Sequence, residues 1–141
     1  MKVEEIKKQI RDIFNPLAAK IGLIGPDEYV LSNTQLSFAY SCDKIGLELS
    51  IDLSDFFIYA LLYKPSHEGI PKGYFDKKGV RQKLYFQEAL KEISIDCIQE
   101  TKELQKLGGN YKNCAEMALK LSNLIGQHWA IINSQHDRWF K

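Results

Sequence analysis

Between Ile45 and Leu53 every second residue is apolar: Ile45, Leu47, Leu49, Ile51 and Leu53. The residues between and after them, Gly46, Glu48, Ser50, Asp52 and Ser54, are small or polar. A strict period of two places alternate side chains on opposite faces, so this segment is expected to be a strand with one buried face. A one-residue slip would send the whole apolar set to solvent, so the pattern constrains register as well as conformation. Leu36, Phe38 and Tyr40 alternate with Gln35, Ser37 and Ser41 in the same way. The short Cys42-Asp43-Lys44 connection predicts a hairpin between the two strands, which makes them antiparallel. The next run, Phe56 to Tyr63, is apolar on both faces and predicts a central strand covered on each side. Ser54-Asp55 is expected either to turn the chain before that strand or to mark a bulge, and Pro65 to end it.

The period changes on either side of this region. Val3, Ile6, Ile10, Ile13, Phe14, Leu17 and Ile21 recur at spacings of three and four, predicting a helix from residue 2 to about residue 21. Pro16 lies inside it and predicts a kink or break near Phe14-Asn15. Gly22, Gly25 and Pro26 follow as terminators. Asp76-Lys77-Lys78-Gly79 suits a type I turn, with Tyr74-Phe75 opposite Val80-Arg81 in a small hairpin. A helix is expected from Leu84 to Ile93, a second one capped by Ser94 to about Leu107, and a long one from Asn110 to about Ser134. The last residues, around His136, are expected to fray. The expected fold is α+β: an N-terminal helix, an antiparallel sheet of about four to five strands, and C-terminal helices packed on the sheet. With 141 residues and no repeat, residues 1–141 are read as a single domain.

Composition narrows the function classes. Apolar residues make up 45% and charged residues 26%, which excludes a disordered chain. The segment Met1-Lys2-Val3-Glu4-Glu5-Ile6-Lys7-Lys8 carries acids and no apolar core, so no ordinary secretory signal is expected. No apolar run is long enough to cross a bilayer. Cys42, Cys97 and Cys114 are an odd set without close spacing, which argues for thiols in a reducing compartment and therefore a cytoplasmic location.

No catalytic or metal-binding constellation is expected. Glu48 and Asp52 share the polar face of one strand, but four residues at about 3.3 Å each separate them by roughly 13 Å. Carboxylate pairs that cleave glycosides lie about 5 to 9.5 Å apart, so a solvated strand face is the expected role. His67, His128 and His136 lack the close spacing of zinc ligands, and His128 reads as a packed histidine bonded to a neighbour. There is no nucleophile elbow and no glycine-rich phosphate loop, so no cofactor is expected. Only a dyad assembled in space around Cys42, Cys114 or His128 would make the chain a small hydrolase or transferase.

Binding remains, and the charge distribution bears on it. The net charge is only +1, yet residues 26–63 carry one basic and six acidic side chains, whereas residues 64–91 carry seven basic and three acidic ones. The acidic face of the sheet supplies Glu48, Asp52 and Asp55 as candidate partner contacts. The basic hairpin supplies Tyr74, Phe75, Lys77, Lys78 and Arg81. Basic residues interleaved with aromatics also fit a nucleic-acid module acting through residues 72–85, which is the second reading. A near-neutral total argues against it.

In the stretch Leu47 to Leu53, and again in Ile70-Pro71-Lys72-Gly73-Tyr74-Phe75 with Gly79-Val80-Arg81, the chain resembles small bacterial immunity proteins. Those are encoded beside contact-dependent growth inhibition toxins or other polymorphic toxins. The resemblance covers mainly residues 10–90. It implies stoichiometric, non-enzymatic binding to a cognate toxin domain, often a nuclease, whose basic cleft suits an acidic partner surface. A toxin approached beside its active site, with Tyr74 and Phe75 as aromatic anchors, is equally compatible with the resemblance.

Overall fold

The computed structural model describes residues 3–140. The first residue of the expected N-terminal helix, Lys2, lies outside the described residues. Helix α1 spans Val3–Ile21 and buries Ile6, Ile10, Phe14, Leu17 and Ala18 along one stripe. It runs unbroken through Pro16, contrary to the expected break. The reason lies in which side faces water. Pro16 and Asp12 are both exposed, so the Asp12 carbonyl that loses its amide donor can turn to solvent instead. Gly22, at φ +80, supplies the left-handed residue that ends the helix.

Five strands follow: β1 Ile24–Ser32, β2 Gln35–Ser41, β3 Gly46–Asp52, β4 Phe57–Tyr63 and β5 Lys83–Tyr85. They form one antiparallel meander in the order β1-β2-β3-β4-β5. The Cys42-Asp43-Lys44 hairpin forms as expected, closed by Cys42 N–H donating to the Ile45 carbonyl at 3.0 Å. Ser54 and Asp55 lie in a turn that separates β3 from β4. The edge strand β1 is interrupted by register shifts between Ile24 and Asp27 and between Val30 and Ser32. Such irregularities, with Pro26 and the acids Asp27 and Glu28, guard an edge against further pairing.

The expected helix at Leu84 begins later. Residues 83–85 pair with β4 through Leu61↔Tyr85, Leu62↔Leu84 and Tyr63↔Lys83, and helix α2 occupies Phe86–Glu92. Ser94 is not a helix cap: it turns the chain with φ +63, and helix α3, Ile98–Leu107, starts after it. There the Asp96 carboxylate accepts from the Ile98 N–H at 2.9 Å. Asn110 caps a short 3-10 turn, Tyr111–Asn113, that leads into helix α4, Cys114–Ser134. Residues 136–140 are ordered against the fold, contrary to the expected fraying. Trp139 and Phe140 are buried, and the Arg138 guanidinium donates to the Glu92 carbonyl at 3.0 Å.

Register divides the sheet into two faces. Leu36, Phe38, Tyr40, Leu47, Leu49, Ile51, Ile58, Ala60 and Leu62 belong to the core cluster, together with the stripes of α1 and α4. Tyr40 ties this face to α1 by donating from its hydroxyl to Asn15 Oδ1 at 2.6 Å. A second tie is the fork of Arg11 on Glu28, with bonds of 2.7 and 2.6 Å. The helices cover this face alone. On the opposite face Tyr63 lies across Gly46, its hydroxyl donating to the Tyr40 carbonyl at 3.2 Å.

Two outcomes follow. A Cβ on Gly46 would overlap the Tyr63 ring, so Gly46→Ala is expected to cost about 1–3 kcal/mol in urea unfolding. An unchanged midpoint would show that the ring moves freely. The hydrogen bond from Arg11 holds the Glu28 carboxyl below its ordinary 4.5. A depressed folded-state value adds stability above the unfolded value and loses it as pH falls through the folded one. Acid titration of stability below about pH 4.5 is therefore expected to be steeper for the wild type than for Glu28→Gln, and only slightly so for a pair this exposed.

Candidate functional site: the helix-free face of the sheet

The pairing register predicts which side chains are neighbours on the face that no helix covers. Gln35, Asp52 and Phe57 form one cross-strand row. Ser37, Ser50 and Tyr59 form the next, and Ala39, Glu48, Leu61 and Tyr85 the third. Tyr63 and Lys83 stand opposite one another beyond it. The segment between β4 and β5 rises over this floor. Its hairpin is the expected one, with Phe75 bridged to Arg81 and Asp76 N–H donating to the Val80 carbonyl at 2.9 Å. Gly79, at φ +79, takes the left-handed position of the turn, and the Asp76 carboxylate accepts from the Lys78 and Val80 amides. Gln82 N–H donates to the Tyr74 carbonyl at 2.7 Å, which lays Tyr74 beside β5.

The result is a groove of about 440 Å³ between the sheet and this segment. Its lining includes Gln35, Glu48, Ser50, Asp52, Tyr59 and Lys72. An adjoining depression of about 410 Å³ shares Leu31, Glu48, Lys72 and Lys83 with it. At the bottom lies an ion pair. Glu48 is 3% exposed, accepts from Lys83 Nζ at 3.1 Å and from the Ser37 hydroxyl at 2.7 Å, and so has both oxygens engaged. This corrects the expectation of a solvated strand face. Ser37 and Ser50 are buried too, because the segment 64–82 and the tyrosines cover them. Only Asp52, at the end of β3, stays partly open.

Four rings cross the face in a row. Phe57 and Tyr59 have centroids 4.8 Å apart, Tyr59 and Tyr85 are 6.0 Å apart, and Tyr85 and Tyr74 are again 6.0 Å apart. The hydroxyls of Tyr74 and Tyr85 lie 3.1 Å apart and share a hydrogen bond. That bond and partial burial push the Tyr85 phenol up to about 12. The expected covering of β4 on both sides is therefore only partly realised. Ile58, Ala60 and Leu62 are under the helices, whereas Tyr59 remains 39% exposed on the other side.

At the far end of the row Asp52 closes a tight turn. Its Oδ1 accepts from Ser54 N–H at 2.9 Å, from the Ser54 hydroxyl at 2.7 Å and from Asp55 N–H at 3.3 Å. The Ser54 hydroxyl bond, aided by the two amides, draws the Asp52 carboxyl below its usual range. The Tyr59 phenol shifts upward, first by burial and then by the negative charges of Asp52 and Asp55.

The structure thus divides the residues singled out from sequence. Glu48, Asp52 and Tyr74 line the groove, whereas Asp55 is exposed in the turn after β3 and does not line it. Phe75 and Arg81 line a shallower depression with Glu88, where Arg81 lies 6.0 Å over the Phe75 ring and pairs with Glu92 at 3.2 Å. Lys77 and Lys78 stand exposed at the hairpin turn. Tyr59 was missed, and Lys72, Lys83 and Tyr85 were read only as part of the basic stretch 72–85, not as lining one groove with Glu48. A signal for Tyr59 was present: in Phe57–Tyr63 the even positions are aliphatic while three of the four odd ones are aromatic, which is itself a period of two.

The residues that might have formed a dyad do not meet in this groove. Cys114 is 1% exposed in the core, and burial pushes its thiol up to about 11. Cys42 lies in the β2–β3 hairpin, its thiol donating to the Ile45 carbonyl at 3.5 Å. His128 is half-buried on α4, and among the described residues it has no hydrogen-bond partner, contrary to the expected packed and bonded histidine. No three histidine, cysteine or carboxylate side chains among the described residues are grouped to hold a metal ion. Among the described residues no helix is long and apolar enough to cross a membrane.

Compared with known proteins, the chain matches no family model, no curated protein and no solved structure.

Glu48→Leu is expected to destabilise the fold by about 3–5 kcal/mol, because it strands the Lys83 ammonium, 12% exposed, against an apolar floor. Adding Lys83→Met should recover most of that loss. A double variant no better than the single one would show that the carboxylate, not the pair, matters.

Proposed function

We propose that this chain is a non-enzymatic immunity protein that binds and neutralises the toxin domain of its cognate contact-dependent inhibition system, one to one. The observation that carries this reading is the aromatic row on the helix-free face, four rings spaced 4.8 to 6.0 Å beside a concave groove. Aromatic side chains held by neighbours bury large area at low entropic cost, which is what an interface anchor requires. The groove's deepest carboxylate, Glu48, is committed to Lys83 and Ser37, so it supports shape more than proton transfer. The acids Asp52 and Asp55 suit a basic partner surface such as the cleft of a nuclease. A cytoplasmic site of action agrees with three unpaired thiols.

The nucleic-acid reading keeps one supporting observation. Lys72, Lys77 and Lys78 are exposed on the segment that carries Tyr74 and make no ion pair among the described residues. It requires binding that weakens steeply with salt and on Lys77→Glu with Lys78→Glu.

The direct test is co-purification with the variable C-terminal domain of a secreted protein encoded immediately upstream, together with protection of cells expressing it. Tyr59→Ala and Tyr74→Ala are each expected to weaken that complex by about 2 kcal/mol, roughly thirtyfold in Kd. A chain that neither binds nor protects sinks the proposal.

A further inference from the structure

The helix-free face is covered in part by a loop that is attached quite differently from the hairpin beside it. Both ends of residues 65–73 are held at one place. Lys64 N–H donates to the Gln82 carbonyl at 2.8 Å, and Gln82 N–H donates to the Tyr74 carbonyl at 2.7 Å. Between those two feet the hydrogen bonds are internal to the loop. Gly69 N–H donates to the Ser66 carbonyl at 3.3 Å, Glu68 N–H to the Ser66 hydroxyl at 3.3 Å, and that hydroxyl to the Gly69 carbonyl at 3.4 Å. Among the described residues no hydrogen bond or ion pair joins 65–73 to another part of the chain. None of the loop's residues is buried or belongs to the core cluster. Yet the loop reaches the far edge of the sheet. Glu68, Ile70, Pro71 and Lys72 line the depression of about 410 Å³ together with Tyr29 and Leu31 of β1, and Glu48 and Lys83 line it too.

We propose that residues 65–73 are a flap, hinged at its anchorage on Gln82, that opens and closes over the Glu48–Lys83 pair while the rest of the fold stays intact. A compact loop with its ends together can move as one piece, because the bonds that hold its feet need not break. Little holds this one down. Its apolar residues, Ile70 and Pro71, are only half-buried, and Leu31 of β1 is 54% exposed, so closing removes little apolar surface from water. Opening also returns a nearly enclosed ion pair to water, which recovers part of its desolvation cost. Lys72 lines both this depression and the groove of about 440 Å³ and leaves with the flap, so opening joins the two into one trough. The flap stands on this geometry alone and holds whatever partner the face receives.

Two glycines of the flap allow it to be pushed in opposite directions. Gly69, at φ +87, holds a conformation that a side chain strains, and a Cβ there would stand 3.2 Å from the Tyr29 hydroxyl oxygen, so Gly69→Ala favours the open flap. Gly73 has no left-handed φ, and its Cβ would meet the Phe75 carbonyl oxygen at an ordinary 3.7 Å, so Gly73→Ala fits the closed flap and restrains the open one. The probe is sulfosuccinimidyl acetate, with acetylation of each lysine of the full chain followed by mass spectrometry. Lys83, its side chain 12% exposed, is expected to react more slowly than Lys77 and Lys78 at the exposed hairpin turn. Its rate is expected to fall about two- to fivefold in Gly73→Ala and to rise about fivefold or more in Gly69→Ala, with Lys77 and Lys78 unchanged. Alkylation of Cys114, 1% exposed, reports unfolding of the whole chain and is expected to stay equal in the wild type and both variants. A Lys83 as reactive as Lys77 overturns the flap. So do Lys83 rates that are the same in every chain, that shift the same way in both variants, or that follow Cys114.

Discussion

A five-stranded sheet has two faces, and the helices of this chain cover only one of them. Ile6, Ile10, Phe14 and Leu17 of α1 and the stripe of α4 close over Phe38, Tyr40, Leu49 and Ile58, and the rest of the molecule adjusts to that contact. Apolar burial of this size is the main favourable term in folding, so the face bearing these residues has no freedom to turn outward. Tyr40–Asn15 and Arg11–Glu28 fix how α1 lies but do not supply the driving force. Because β1 to β5 follow one another as a meander, choosing the inward face of β3 chooses it for every strand.

The other face must then be finished with what the loops provide. Segment 64–82 folds back over it, and the side chains beneath become buried although they are polar. Glu48 illustrates the consequence. In a sheet open to water it would be an ordinary surface carboxylate; here it is enclosed, and Lys83 and Ser37 engage both of its oxygens. The cover is incomplete toward Asp52 and Tyr59. The same incompleteness that exposes an aromatic ring creates the concave surface on which the proposed binding role rests.

Local signals were strongest where packing agrees with period. The alternation over Ile45–Leu53, the Cys42-Asp43-Lys44 hairpin, the Asp76–Gly79 turn and the α1 stripe all read directly from residue spacing. Pro16 did not break the helix, because its cost depends on whether the stranded carbonyl faces water. Lys83–Tyr85 misled because three residues carry no period, and β4 decides that they pair as a strand. Ser94 has the chemistry of a cap, yet the helix end it would serve is placed by Asp96 two residues later. The chain end looked free to fray because nothing in its local pattern shows that Trp139 and Phe140 reach the core.

For the candidate site, the residue types were legible and their arrangement was not. Glu48, Asp52, Asp55, Tyr74 and the basic hairpin could all be named from charge and aromatic content. The residues themselves determined that β3 has one polar face and that Tyr74 sits near a turn. Only the tertiary structure decided that Glu48 is buried and paired, that Tyr59 and Tyr85 join Tyr74 in one row, and that Lys77 and Lys78 stand apart from the groove. The physical reason is range. Period and turn chemistry act over a few residues, whereas burial and ion pairing depend on which distant segment, here residues 64–82, comes to lie across the sheet.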